Sequence, residues 1–297
     1  MKLCIVTINY NNAEGLRKTL ASVAAQTYRD IEHIIVDAAS TDGSVEIIKE
    51  YEEKIHLTHS TIHIVWTSEK DKGIYDAMNK GIRKATGDYV WILNSGDCAA
   101  SSDVVERMMN ILPSFTPSTL NDKIDIPILI GNKIHVYPGD KRVYSPLPIG
   151  RSKTPNPIPI ETSMLTFYRG TIPQDAAFVR RDLFEKYGGF DEGMKICADW
   201  KLYLNMIALD GIIPMYVNID VVLFDMTGVS NANNELRLAE RRAYLKQVLP
   251  ASVLKDYDTY AFSIEQYKRL QKHHLWGIVN FLERVLFKLE KWNILKK

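Results

Sequence analysis

The sequence predicts an α/β protein built on a doubly wound mixed sheet, with a helical extension at its C-terminal end. Three observations predict it. Four apolar, β-branched runs alternate with three amphipathic helical stretches inside the first hundred residues, the βαβ rhythm of a sheet with right-handed crossovers. The fourth run, residues 89–93, is apolar without alternation, as in a strand covered on both faces. It stops at Asn94-Ser95-Gly96-Asp97, and open α/β sheets bind ligands at the carboxyl ends of their strands.

Taken in order, residues 3–8 form the first strand, and Asn9-Tyr10-Asn11-Asn12 turns into a helix with Asn12 as its N-cap. Leu16, Leu20, Val23 and Thr27 recur at helical spacing. Residues 31–36 are the second strand, ending at Asp37; Val45, Ile48 and Tyr51 mark the next helix. A third strand, residues 62–66, leads through a polar loop to a helix with Ile74, Met78 and Ile82 on one face. Tyr10, Asp37 and Asp97 thus stand at three strand ends, where a nucleotide site belongs. Neither a G-x-G-x-x-G fingerprint nor a Walker A loop is present, so carboxylates and a metal would have to manage any phosphates. Farther on, the spacing predicts a helix over 101–112 capped by Ser102, a strand over 128–136, and a proline-rich stretch over 137–174 flanking the active site. A short helix over 180–187 stops at Gly188-Gly189. Then come a helix over 198–209 with Asp199 in its first turn, two short strands over 212–217 and 221–224, and charged or basic helices to the end.

At 297 residues, with 46% hydrophobic and 25% charged content, the chain suits one large soluble domain with an appendage, or two domains. A net charge of +1 argues against nucleic acid as a partner. The charge is uneven: residues 266–297 carry +6, leaving −5 for the remainder. Cys4, Cys98 and Cys197 are scattered, form no C-x-x-C pair, and fit a reducing compartment. The opening M-K-L-C-I-V-T-I lacks a signal-peptide pattern, and no apolar run approaches the ~20 residues of a membrane span. The expected location is cytoplasmic.

The runs I-V-T-I-N-Y-N-N, I-I-V-D-A-A-S-T-D-G-S, D-K-G-I-Y-D-A-M-N-K-G, G-D-Y-V-W-I-L-N-S-G-D, G-G-F-D-E and A-D-W, in this order, resemble the family 2 glycosyltransferases. The likeness is to the bacterial exopolysaccharide, colanic-acid-type branch and reaches to about residue 230. It implies a GT-A, Rossmann-like fold over 1–230, with a nucleotide-binding half (1–100) and an acceptor half (101–230), and a basic amphipathic helical region over 231–297. It also implies an inverting, metal-dependent transfer from a nucleotide-diphospho-sugar, most often a UDP-sugar, to a growing glycan or a lipid-linked acceptor. By the same resemblance Thr7, Tyr10, Asp37, Asp71 and Asn94 hold the nucleotide, Asp97 holds Mn²⁺ or Mg²⁺, and Asp199 is the catalytic base.

The sequence departs from the family pattern in places. The usual D-x-D metal motif is thinned to Asn94-Ser95-Gly96-Asp97, Ala198 replaces the Glu before the base, and Gln174-Asp175 replaces His-Gln. A nucleotidyltransferase would need a glycine- and arginine-containing loop where N-Y-N-N stands. The thinned metal motif leaves a second reading, a non-catalytic sugar-nucleotide-binding subunit of a polysaccharide assembly complex. The basic tail has two readings as well: helices with a solvated polar face, or a peripheral anchor on the inner face of the membrane, with Trp276, Trp292 and lysines meeting anionic lipid.

Overall fold

A computed structural model describes residues 1–58, 60–112, 126–145, 154, 156–226, 233–272 and 276–291. The chain divides into two compact units, Met1–Arg241 and Arg242–Lys297.

In the first unit the expected alternation is present. The elements are β1 (Leu3–Asn9), α1 (Ala13–Ala24), β2 (Ile31–Asp37), α2 (Ser44–Leu57), β3 (His63–Ser68), α3 (Ile74–Lys84) and β4 (Tyr89–Ile92). β1 lies parallel between β2 and β4, and β3 extends the sheet beyond β2. Every residue of β1, β2 and β4 is buried, which is why these strands read as continuous apolar runs rather than alternating ones. Asn12 caps α1 through its side chain, accepting from the Gly15 N–H.

The second half follows as β5 (Cys98–Ala99), α4 (Val104–Ile111), β6 (Ile128–Tyr137), β7 (Lys141–Tyr144), β8 (Ile158–Pro159), α5 (Met164–Arg169), β9 (Ala177–Arg180), α6 (Arg181–Tyr187), α7 (Ala198–Tyr203) and β10 (Met215–Asp225). The ten-stranded sheet runs β3-β2-β1-β4-β9-β6-β10-β5, with β7 against β6 and β8 against β10. β9 is antiparallel to both β4 and β6, so the sheet is mixed.

Three expectations are corrected here. The helix expected from residue 180 starts at Arg181, and Arg180 instead closes a strand, β9, that joins the two halves of the sheet; four residues are too few to show a period. The two short strands expected over 212–224 are one eleven-residue strand whose register against β6 shifts between Tyr216 and Val222. That irregularity broke the apolar pattern in two. At this bulge the β6 backbone passes so close that a Cβ on Gly131 would meet the Ile219 carbonyl oxygen at 2.6 Å. The 101–112 helix starts at Val104 with Asp103, not Ser102, as its N-cap. Residues 146–153 and 155 of the proline-rich stretch, and Trp292, lie outside the described residues.

In the chain's last part, α8 (Asn234–Val248) leads to α9 (Ala251–Lys272) and α10 (Trp276–Lys291). Within the second unit, Arg242 grips Asp258 through two hydrogen bonds of 2.5 Å, and Leu245 and Leu254 are buried.

Candidate functional site

The carboxyl ends of β1, β2 and β3 meet around one carboxylate. Asp37 is fully buried and accepts four hydrogen bonds: from Asn9 Nδ2 (2.8 Å), Ser40 Oγ (2.6 Å), the Ser40 N–H (3.0 Å) and Ser68 Oγ (2.6 Å). A carboxylate has about four acceptor sites, and these donors take them all. Asp37 as found is therefore a clamp on three strand ends, not the open acceptor expected for a base N–H. The open acceptor beside it is Asn9 Oδ1, buried with no hydrogen-bond partner, a residue the sequence reading passed over. Tyr10, 68% exposed, stands at the mouth. Asp71 lies close enough for the Asp37 charge to act on it; burial raises its carboxyl above the ordinary range, opposed by the Gly73 N–H.

Thr7 offers no free hydroxyl at the strand ends. It is fully buried, and its hydroxyl is spent on His33 Nε2 at 3.0 Å, while His33 Nδ1 meets the Tyr51 hydroxyl at 2.9 Å. It belongs to the packing under α2, tied through His33 to Tyr51 of that helix. Burial pushes His33 from 6.5 down to about 3. Below pH 6.5 the unfolded chain therefore takes up a proton that the folded chain refuses, so stability is full above that pH and falls on acidification. Urea unfolding should show a loss of about 2 kcal/mol between pH 7 and pH 5 from this residue, and His33→Gln should flatten that slope.

The second cluster sits across the ends of β4, β6 and β10. Gly96, at φ +106°, lets the chain turn sharply after β4, and its N–H donates to Thr19 Oγ1 at 3.0 Å. Thr19 in turn donates to the Asp97 carbonyl at 2.7 Å, and Asn12 Nδ2 donates to the Ser95 carbonyl at 3.1 Å. So α1 pins the turn. The Asp97 side chain accepts from the Asp225 N–H at 2.9 Å. Its carboxyl is raised well above the ordinary range by burial, and next by the charge of Asp175. Trp91 Nε1 on β4 donates to the Asp175 carbonyl at 2.7 Å, which holds Asp175 in the short 3₁₀ turn of Gln174–Ala176. Lys133 on β6 pairs with Asp175 at 2.5 Å and lies 3.3 Å over the Phe224 ring.

Asp199, in the first turn of α7, accepts from the Tyr75 hydroxyl of α3 at 3.4 Å. Burial raises its carboxyl, with Asp175 adding and the Trp200 N–H, Arg241 and Lys133 opposing. Asp97, Asp175, Lys133 and Asp199 thus share one field, though they lie up to a hundred residues apart. Lys133 and Asp225 carried no signal in the sequence; Tyr75 stood inside the run D-K-G-I-Y-D-A-M-N-K-G without a role, and Asp175 stood out as a departure from the His-Gln pattern.

A divalent cation fits this place. The Asn94 Oδ1 atom is buried without a partner, and Asp97 is a desolvated carboxyl in want of positive charge. Among the described residues no group of three or more His, Cys, Asp or Glu side chains is arranged to hold a metal ion. A cation here would take its other ligands from a bound phosphate and water.

With this geometry in hand, the comparisons decide the family. The profile described as Glycosyl transferase family 2 matches residues 4–188. The chain is a family 2 glycosyltransferase. It is 32% identical over 230 residues to the uncharacterized glycosyltransferase Rv1514c of Mycobacterium tuberculosis, covering 76% of each chain. It is 25% identical over 228 residues to a PGL/p-HBAD biosynthesis glycosyltransferase of Mycobacterium bovis, covering 76% of this chain and 78% of that one. Among solved structures, Staphylococcus aureus TarS 1-349 in complex with UDP-GlcNAc superposes with a TM-score of 0.57 at 17% identity, over 89% of this chain and 76% of that one. The mannosyltransferase PcManGT of Pyrobaculum calidifontis, in complex with GDP-Man and Mn²⁺, superposes with a TM-score of 0.50 at 20% identity, over 82% and 61%. These likenesses place the glycosyltransferase in the GT-A fold. The colanic-acid-type branch finds no specific match among them.

Proposed function

We propose that this glycosyltransferase is an inverting, metal-dependent enzyme that moves a sugar from a nucleoside-diphospho-sugar, a UDP-sugar in first instance, to a hydroxyl of a growing glycan or lipid-linked acceptor. The observation that carries the reading is the placement of Asp199, a carboxylate that accepts from the Tyr75 hydroxyl and feels the charges of Asp175 and Lys133, the same two that act on Asp97. In this mechanism Asp199 takes the acceptor hydroxyl's proton as that oxygen attacks the anomeric carbon. The bond from that carbon to the diphosphate breaks, and the nucleoside diphosphate leaves from the opposite face. One attack on one face inverts the configuration, and no second carboxylate is needed as acid. Tyr10 offers a stacking surface for the base, and Asn9 Oδ1 an acceptor for a base N–H. Asp71 faces the ribose side. Asp97, with Asn94 beside it, would hold Mn²⁺ or Mg²⁺, which supplies charge neutralisation for the departing diphosphate.

The UDP and GDP donors bound by structural neighbours support a nucleotide-sugar donor without choosing the base. Titration calorimetry with UDP, GDP, CDP and dTDP, each with and without Mn²⁺, should give metal-dependent binding of one of them. Failure of all four on folded protein would sink the donor site.

No helix among the described residues is long and apolar enough to cross a membrane. α10 does expose Ile278, Phe281, Leu282, Val285 and Leu286, with Arg284 and Lys288 along its flank. That amphipathic face supports the anchor reading of the tail over the solvated one, and with it a lipid-linked acceptor and the inner face of the membrane as the working location.

A further inference from the structure

The base sits eleven residues beyond the stretch matched by the family profile, on a helix too short to fix itself. α7 has six helical residues before it widens into the π-helical turn Leu204–Leu209. Its N-cap, Cys197, provides no side-chain capping hydrogen bond to the helix. The three backbone N–H groups leading into it go elsewhere. The N–H groups of Lys195, Ile196 and Cys197 all donate to the Glu240 carboxylate of α8, at 2.6, 3.0 and 3.0 Å. A second tie runs from Cys197 Sγ to the Arg237 carbonyl at 3.5 Å. The neighbour of Glu240, Arg241, lies over the Trp200 ring, its guanidinium carbon 5.2 Å from the ring centroid, and its Nε is buried without a hydrogen-bond partner. So one turn of α8 grips the backbone before Asp199 and stacks a cation on the residue after it.

We propose that Glu240 and Arg241 are positioning residues for the catalytic base: Glu240 fixes the entry to α7, and Arg241, stacked on Trp200, sets a guanidinium beside the Asp199 carboxylate. This rests on the assignment of Asp199 as base and extends the site to a helix outside the family-matched stretch. The physical need is plain. A base in a closed cleft must be desolvated to be reactive yet ionised at working pH, and those demands oppose each other. Burial raises Asp199, and Arg241 is the first charge that pulls it back. The other groups facing it are Tyr75 from α3, Lys133 from β6, Asp175 from the 3₁₀ turn, and Cys197 and Tyr203 from its own helix. Lys133 is already paired with Asp175, so its charge is largely spent, and the two phenols and the thiol are neutral at pH 7. That leaves the Trp200 N–H, which no side-chain change removes, and Arg241 to set the balance. The Glu240 contacts work by geometry, because three charge-assisted bonds to one carboxylate leave the 195–197 backbone a single arrangement.

The test reads the carboxylate directly and needs no substrate. In full-length protein carrying ¹³C-labelled aspartate, the Asp199 side-chain carbonyl is assigned by its loss in Asp199→Asn and titrated by NMR. Arg241→Met keeps the stacked stem and removes the charge; the Asp199 titration should move up by about one pH unit and return in Arg241→Lys. Glu240→Gln should speed hydrogen exchange of the Lys195, Ile196 and Cys197 amides about tenfold. A titration in Arg241→Met that overlays the parent, or amides unchanged in Glu240→Gln, would overturn the inference. Neither result touches the base assignment, which falls only if Asp199→Asn still turns over.

Discussion

Asp199→Asn should leave the glycosyltransferase folded and able to bind its donor while turnover falls by about 10²–10⁴-fold, the usual worth of a positioned general base. Asparagine keeps the shape and keeps an oxygen to accept from the Tyr75 hydroxyl, so the cleft has no reason to rearrange. What it cannot do is take a proton from the acceptor hydroxyl. The loss should therefore fall on kcat, with donor affinity by calorimetry within about threefold of the parent. A variant that turns over at the parental rate would sink the base assignment and favour the non-catalytic sugar-nucleotide binder instead. A variant that loses donor binding as well would mean that Asp199 contacts the donor.

Asp97→Asn is the second large effect, and it separates a metal site from a structural carboxylate. The amide oxygen can still accept from the Asp225 N–H, a hydrogen bond by which the Asp97 side chain holds the end of β10. The fold should survive. Burial and the Asp175 charge disfavour an ionised Asp97 when no cation is bound, so a neutral residue removes a penalty. Thermal unfolding of the variant in EDTA should come at or above the parent's temperature. Function should move the other way. Mn²⁺ should no longer strengthen nucleoside diphosphate binding, costing about tenfold or more in affinity at saturating metal. If the variant is less stable and its nucleotide binding keeps the parental metal dependence, Asp97 is a strand-end anchor and the cation, if any, is held elsewhere. Sites that sacrifice stability for charge in this way are expected where function requires it.

The family-derived positions fared unequally for reasons the residues make clear. Asp97 and Asp199 were legible as candidates because one closes an unbroken apolar strand and the other opens a helix; their roles stand as proposals. The burial of the Thr7 hydroxyl was not legible, because a motif names positions without saying which face of a strand they occupy. Asp37 was legible as a strand-end carboxylate but not as a saturated one, since its donors Asn9 and Ser68 end the two neighbouring strands and Ser40 lies in the loop after its own. β9 was missed for its brevity, and β10 was split in two by its bulge.

What the sequence alone determined is the local framework: the βαβ order, the buried strands, the turns at Asn9 and Asn94, and through ordered motifs the glycosyltransferase family. Hydrophobic period, turn chemistry and spacing are short-range properties, and a chain states them openly. What only the tertiary structure decided is the electrostatic company each side chain keeps. Lys133 reaches Asp175 across 42 positions, Tyr75 reaches Asp199 across 124, and Glu240 holds the backbone before Asp199 from a helix beyond the last motif. Such pairings depend on which strand ends the sheet order brings side by side, and a parallel sheet orders its strands through crossovers whose partners are far apart in the chain.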